Sequence, residues 1–344
     1  MVESLPDVQL KSGEIMQVRR IAAPDEQWAE RLVHFMYLRR SDYTNCNWHH
    51  NCVRVLAGDY QDISHDVFFA GLLDDRIVGT SWYGAPKDTL DVATYGRIIT
   101  HQDHRRKGIA TVLCALPVDE FRDLGGSAMY LGTGRTNPAR LIYERLGFAH
   151  YNYIEDAATI MRVIFSGNTE AFEDDYYRPG CETVLRPIHA GDLARAEILL
   201  NLPLWAVKDS SLGIIYNTPF EGAFFDILAH IEKPTESGFS LVTRHHERMM
   251  GMAYTAAAPG AQAGQTHVRY LEFLVHPNYT DRGAELLTMT EQCSSAEVFI
   301  ARVAAADRDK HRIIEAAGYR QAGRLRKAAR SPDAETDILI YEKS

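Results

Sequence analysis

The chain lacks what a disulfide-stapled, membrane-spanning or polyanion-binding protein needs. Only five cysteines occur among 344 residues, and Cys46, Cys52, Cys114, Cys181 and Cys293 form an odd, scattered set without a C-x-x-C pair. That usage suits reduced thiols better than a disulfide framework. No apolar run reaches the roughly 18 residues that a membrane helix requires. The opening MVESLPDVQLKSGE is acidic and has neither the basic flank nor the apolar core of a signal peptide. The expectation is a cytoplasmic protein without membrane contact. Positive charge is short as well: 37 Lys and Arg against 46 Asp and Glu leave a net charge of −9, which repels a polyphosphate backbone and disfavours a nucleic-acid partner. Gly and Pro, at 24 and 13 residues, stay near their ordinary shares, so collagen-like and low-complexity classes are excluded.

What is present is the balance of a packed protein, 46% hydrophobic and 24% charged, in a chain long enough for about two domains. A repeat organises it. VRRIAAPDEQWAERLVHF from Val18 is echoed by VLRPIHAGDLARAEILL from Val184, and DDRIVGTSWYG around Gly79 by HERMMGMAYTA around Gly251. YGRIITHQDHRRKGIATVL around Gly108 is answered by YLEFLVHPNYTDRGAELLT around Gly283, and YERLGFAHYN around Gly147 by IIEAAGYRQAG around Gly318. Four blocks in one order predict a duplicated domain. Between the copies, residues 166–182 hold five acidic residues against Arg178 alone and include Pro179-Gly180, which reads as a linker. The expected division is therefore 1–165, a linker over 166–182, and 183–344.

Within the first copy, apolar runs Val67 to Leu73 and Ile77 to Tyr83 flank Asp74-Asp75-Arg76 and predict a hairpin. A third strand is expected over Thr94 to Thr100. After Gly108 the spacing of Ile109, Val112, Leu113, Leu116 and Phe121 turns helical, with a stop at Gly125-Gly126, while Pro117 weighs against an unbroken helix. Met129 to Leu131 reads as a strand. Asn137, Pro138 and Gly147 bracket a further helix, and two strands, around His150 and over Thr159 to Phe165, close the unit.

The loop before the long helix carries the strongest chemical signal. Arg105-Arg106-Lys107-Gly108-Ile109-Ala110 leads from an apolar strand into a helix whose free N–H groups and positive dipole end would face the loop. Gly108 allows close approach, and three cations reinforce the attraction for a pyrophosphate. This segment resembles the R/Q-x-x-G-x-G/A signature of the GNAT family of N-acetyltransferases, through Arg105, Gly108 and Ala110. A second family feature, N-x-x-A-x-x-L/I-Y-x-x-x-G-F, is approached by Asn137, Ala139, Ile142, Tyr143, Gly147 and Phe148.

The resemblance implies an α/β (α+β) fold of two tandem GNAT-like domains, each a mixed, mostly antiparallel twisted sheet flanked by helices. It implies acetyl-coenzyme A as cofactor, held by Ile98, Ile99, Thr100, Arg105, Arg106, Lys107, Gly108, Ile109, Ala110, Asn137, Arg140 and Tyr143. It further implies that Tyr143 is the general acid for the departing thiolate, and that the acceptor is a small-molecule amine. The tandem layout is similar to acetyltransferases encoded in actinomycete antibiotic clusters, such as that for clavulanic acid. No metal is implied.

An alkylamine with a pKa near about 10.4 must lose a proton before attack. Where some family members carry a Glu base, this chain has Thr94, which cannot serve. His101, His104, Asp91, Tyr95, a water relay and an acceptor arriving unprotonated remain as alternatives. The second copy departs from the pattern at Thr280, Glu285 and Ile314, which stand for Arg105, Ala110 and Tyr143; transfer is therefore expected in the first copy. The stretch CNWHHNC from Cys46 to Cys52 has no zinc spacing and reads as an acceptor-binding loop or as packing. Arg320, Arg324, Arg326, Lys327 and Arg330 read as a solvated strand edge. A non-catalytic acyl-coenzyme A sensor, O-acylation and decarboxylation stand as alternative functions.

Overall fold

The computed structural model describes residues 1–37, 47–154, 158–204, 220–257, 267–330 and 335–344. The chain divides into two units, Met1–Thr169 with Ala190–Arg195, and Glu170–His189 with Ala196–Ser344.

The first unit runs β1 (Val2–Gln9), β2 (Ile15–Ala22), α1 (Glu26–Tyr37), α2 (Asn47–Ala57), β3 (Ser64–Leu73), β4 (Arg76–Pro86), β5 (Val92–Thr100), α3 (Ile109–Asp123), β6 (Ala128–Gly134), α4 (Arg140–Arg145), β7 (Ala149–Ile154) and β8 (Ala158–Ile164). Its sheet has the order β1-β2-β3-β4-β5-β6-β8-β7, antiparallel except for the β5–β6 pair. The β3–β4 hairpin turns through Asp74 and Asp75, both in the left-handed region at φ 48° and 61°, as two-residue hairpin loops demand. β1 was not foreseen. It is an edge strand that leaves most of its side chains in solvent, so it lacks the apolar alternation by which strands are recognised.

Helix α3 lies on the core face of the sheet. A Cβ at Gly79 would come within 2.7 Å of Ile109 Cγ2 and 2.9 Å of Leu113 Cδ1, so a bare backbone at that point of β4 is what admits the helix. Pro117 sits inside α3 without breaking it. Proline removes the N–H that would have bonded the carbonyl of Leu113, and Ser81 Oγ donates to that carbonyl at 2.6 Å instead. Ser81→Ala should cost about 1–3 kcal/mol by stranding a buried carbonyl. The loss should shrink when Pro117→Ala restores the helical N–H. Urea unfolding of the four chains of this double-mutant cycle checks both statements, and an additive cycle would refute the compensation.

The second unit repeats the plan with α5 (Phe172–Tyr176), β9 (Thr183–Pro187), α6 (Leu193–Asn201), α7 (Phe220–Ile231), β10 (Gly238–Thr243), β11 (Met249–Ala256), β12 (Val268–Val275), α8 (Gly283–Gln292), β13 (Val298–Ala304), α9 (Arg308–Ala316), β14 (Arg320–Arg330) and β15 (Glu335–Lys343). The first three residues of α6 group with the first unit. The sheet order β14-β15-β13-β12-β11-β10-β9 matches that of the first unit without β1. The two α/β units are thus mixed, mostly antiparallel sheets with flanking helices. The basic residues of β14 stand on an edge strand, where Arg324 pairs with Asp337 and Lys327 with Glu335. Charge on an edge discourages pairing with another chain.

The acidic segment 166–182 contains a short helix, α5, and its aromatic residues are packed. Tyr176 and Tyr177 are buried, and the Tyr177 ring stacks on His276 at 4.2 Å and 3°. His276 Nδ1 accepts the N–H of Asn278 at 3.2 Å. Burial lowers the pKa of His276 to about 4, against a weak opposing pull from Asp174. A histidine with a depressed folded pKa favours folding fully above its ordinary value near about 6.5, and that contribution is lost as pH falls toward the folded value. Stability should therefore decline between about pH 6.5 and 4 by up to about 1.4 kcal/mol per pH unit from this group. His276→Gln should flatten that part of a pH series of denaturant melts; an unchanged slope would assign the acid sensitivity to other groups.

Candidate active site

Strands β5 and β6 pair in parallel only at Val92–Ala128, Ala93–Met129 and Thr94–Tyr130. Beyond that point β5 continues to Thr100 and β6 to Gly134 without pairing, so the sheet opens into a wedge. The edge of β5 over Gly96 to Thr100 is left free toward β6. On its other edge β5 bulges against β4 between Gly96 and Ile99, where Arg97 takes a φ of 53°. Ile98, Ile99 and Thr100 are half-buried along this edge.

The β5–α3 loop begins with a 3-10 turn, Gln102–His104. Arg106 then takes a φ of 65° and Gly108 of 92°, conformations that lift the backbone around the start of α3. Gly108 is the N-cap residue, and no side chain caps the helix. The first-turn amides, including those of Ile109 and Ala110, point into the loop with the positive end of the helix dipole. Arg105 and Arg106 are exposed and have no ion pair among the described residues. Lys107 Nζ lies 2.7 Å from Glu14 Oε2 and 3.4 Å from His104 Nδ1. This hydrogen bond from Lys107, with another from Ser12, holds the Glu14 carboxyl below its ordinary range. Two of the three loop cations are thus available to an anion, while the third is engaged with β2's approach.

Tyr143 projects from α4 into the core. It is 4% exposed, with its ring edge-on to Tyr95 at 6.0 Å and near Phe148 at 6.2 Å. No hydrogen bond of its hydroxyl is formed with described residues. Burial and the neighbouring Cys114 push its pKa far above the ordinary value, so the Tyr143 hydroxyl keeps its proton at physiological pH. Cys114 is itself pushed up to about 11 by burial and stays a thiol.

The remaining predicted residues are spread more widely. Asn137 Oδ1 accepts the N–H of Ala139 at 3.0 Å and its Nδ2 donates to Thr133 Oγ1 at 3.2 Å. Asn137 therefore builds the β6–α4 turn. The helix starts later than expected, at Arg140, because residues 137–139 form a tighter turn with Arg140 N–H bonded to the carbonyl of Asn137. Arg140 pairs with Glu144 at 3.1 Å and lines a cleft of about 430 Å³ with Arg135, Thr136, His150 and Thr159.

Among the base alternatives, His101 and His104 belong to the loop, and His101 Nδ1 accepts the N–H of Asp103. Asp91 accepts Thr89 Oγ1 at 2.7 Å beside the closed end of the wedge. The Tyr95 hydroxyl donates to the Cys114 carbonyl at 3.1 Å, and burial holds it well above its ordinary pKa, which removes Tyr95 as a base. Cys46 lies outside the described residues; Cys52 is buried in α2.

A polar group that sequence reading missed lies on β3, β4 and β5. Trp82 Nε1 donates to Asp66 Oδ1 at 2.8 Å and Ser64 Oγ to Asp66 Oδ2 at 2.6 Å. The Arg97 guanidinium stands 4.4 Å from the Trp82 ring centroid and 5.6 Å from that of Phe68. Burial raises the pKa of Asp66. A charged residue inside each of the apolar runs around Val67 and Ile98 was the available signal.

The second unit preserves the wedge and loses the cradle. β12 and β13 pair only from Val268–Val298 to Tyr270–Ile300. At the loop, Gly283 has ordinary helical angles, φ −59° and ψ −45°. A Cβ there would meet Ile313 at 2.7 Å, so the glycine serves packing. Arg282 is held by Glu285 at 2.8 Å and by Thr183 Oγ1 at 2.8 Å.

Residues 32–148 match the family model described as the acetyltransferase (GNAT) family. Solved structures that match part of this chain include the acetyltransferase of the GNAT family from Streptococcus pneumoniae, at 12% identity over 47% of this chain and 99% of that one with a TM-score of 0.38. The GNAT domain of PAT from S. lividans is 19% identical over 46% of this chain and 96% of that one, also with a TM-score of 0.38. Among curated proteins none matches the chain. The match lies within the first unit, whose residues 32–148 are thus similar to acetyltransferases, a class of enzyme that takes acetyl-coenzyme A as cofactor. The uncapped α3 amides, Gly108, and Arg105 and Arg106, which have no ion pair among the described residues, suit a diphosphate, and the β5 edge open toward β6 suits an amide-bearing chain.

Proposed function

We propose that the chain is an acetyl-coenzyme A-dependent N-acetyltransferase acting on the amine of a small molecule, with transfer carried out in the first unit. When bound, the cofactor supplies the acetyl group as a thioester. The α3 amides and the side chains of Arg105 and Arg106 hold the pyrophosphate, with Lys107 joining them on release from Glu14. Ile98, Ile99 and Thr100 offer backbone groups along the open edge of β5. Tyr143 Oη donates its proton to the departing thiolate. The acceptor ammonium gives its proton to water or to His101 or His104 before attack. Positioning contributes heavily in such a reaction, on the order of 7 kcal/mol or more for well-held reactants.

The observation that carries the reading is the coincidence of an uncapped helix start at Gly108, with two arginines beside it that have no ion pair among the described residues, and a wedge between β5 and β6 in one unit. Incubation with acetyl-coenzyme A and a panel of amines, followed by mass spectrometry, tests it. The tandem layout supports including antibiotic precursor amines in the panel. An N-acetylated product that disappears with Arg105→Ala supports the proposal. Cofactor binding without any turnover would favour a sensor, and an O-acylated or decarboxylated product would redirect the chemistry.

A further inference from the structure

The wedge of the second unit holds a cleft of about 670 Å³, within the range of small-ligand sites. Apolar atoms from Leu204, Val275, Pro277, Ala306 and Ile313 line one part, and the first turn of α9 lines the other. In that turn Asp307 Oδ1 accepts the Lys310 N–H at 3.1 Å, and Asp309 pairs with Arg312. Arg308 stands exposed at the rim. Lys310 is 9% exposed, and its ammonium has no hydrogen bond or ion pair among the described residues. Its ammonium lies 5.3 Å from the Phe273 ring centroid. Phe273 and Val275 are alternate residues of β12 and share one face, which directs the lysine onto the face that lines the cleft. The stem of Lys310 is thus buried while its ammonium, backed by an aromatic ring, has no counter-ion among the described residues.

We propose that this cleft is a binding site for an organic carboxylate with an apolar body, its carboxylate held by Lys310 and Arg308. Charge selects a monoanion, since Arg308, Lys310 and Arg312 against Asp307 and Asp309 leave a single uncompensated positive charge. A diphosphate is disfavoured at this site. The loop that would cradle it has Gly283 filled by Ile313, Arg282 consumed by Glu285 and Thr183, and the Glu285 carboxylate on the first turn of α8. The inference does not depend on the activity proposed for the first unit.

Titration calorimetry of the full chain with octanoate tests the site. We expect one octanoate per chain and much weaker binding of octanol. Coenzyme A should not displace the octanoate. Lys310→Met should weaken octanoate by at least about tenfold, the loss of a charge-assisted contact, whereas Lys310→Arg should retain most of the affinity. Thermal melts of both variants without ligand establish that they fold, and Val275→Trp, which fills the cleft from β12, should block octanoate if Lys310→Met proves unstable. Equal binding of octanoate and octanol, unchanged affinity in Lys310→Met or Val275→Trp, or displacement by coenzyme A would each overturn the assignment.

Discussion

Gly108→Asp should weaken coenzyme A binding on the order of a hundredfold while leaving the fold nearly as stable as before. The substitution places a carboxylate at the N-cap of α3, where Asp is a favoured residue and accepts the N–H groups of the first turn. The same amides are then withdrawn from the pyrophosphate, and a negative charge faces it. Space is available, since a Cβ at Gly108 would have only the Lys11 side chain within 4 Å, at 3.7 Å. The φ of 92° strains any L-residue, at a cost of about 1–2 kcal/mol, and the new cap offsets part of that. Calorimetry should show affinity lower by on the order of a hundredfold, as expected for losing roughly two charge-assisted hydrogen bonds. Arg105→Ala should weaken binding less, by about tenfold, with activity falling accordingly. Glu285→Ala should change neither, because Arg282 stays held by Thr183 and Gly283 stays packed on Ile313. Intact affinity in Gly108→Asp, or activity lost in Glu285→Ala and kept in Arg105→Ala, would move the cofactor site out of the first unit.

The topology was legible because it is written twice. Glycines at matching places, apolar runs of strand length and one long helical period recur in both copies, and each marks a local geometric need. Gly147 takes the positive φ that its place just past a helix end suggested, and Gly108, read as a point of close approach, takes one as well. Contacts between residues far apart in sequence were not legible. Nothing near Pro117 announces that a serine from β4 will bond the carbonyl it frees. Asp66, Trp82 and Arg97 belong to three strands and become neighbours only through sheet register. The acidic composition of 166–182 suggested solvated chain, yet its two adjacent tyrosines are buried and one stacks on His276, because local composition weighs charge and cannot weigh a partner ring about a hundred residues away. Lys310 was unremarkable for the same reason. Its burial follows from where α9 meets β12, and a lysine in a polar helical segment reads as exposed until that meeting is known.

Tyr143→Phe should lower turnover on the order of a hundredfold, within the range for loss of a general acid, while cofactor affinity stays within about twofold. The ring keeps its edge-on contact with Tyr95 and its place beside Phe148, so packing is preserved and only the Oη proton is removed. That hydroxyl forms no hydrogen bond with described residues, so its loss strands no buried partner and stability should scarcely change. Burial keeps the Tyr143 proton in place far above its ordinary pKa. The wild-type rate should therefore rise with pH as the acceptor amine is deprotonated, without an alkaline fall from this residue across the neutral range. The variant should show the same rise at a lower level if the tyrosine acts only on the leaving group. A thioester with a more acidic thiol leaving group should be less affected by the substitution, since it needs less proton donation. Turnover equal to wild type with a confirmed acceptor, or an equal loss for every leaving group, would make Tyr143 a packing residue and require another source for the thiolate's proton.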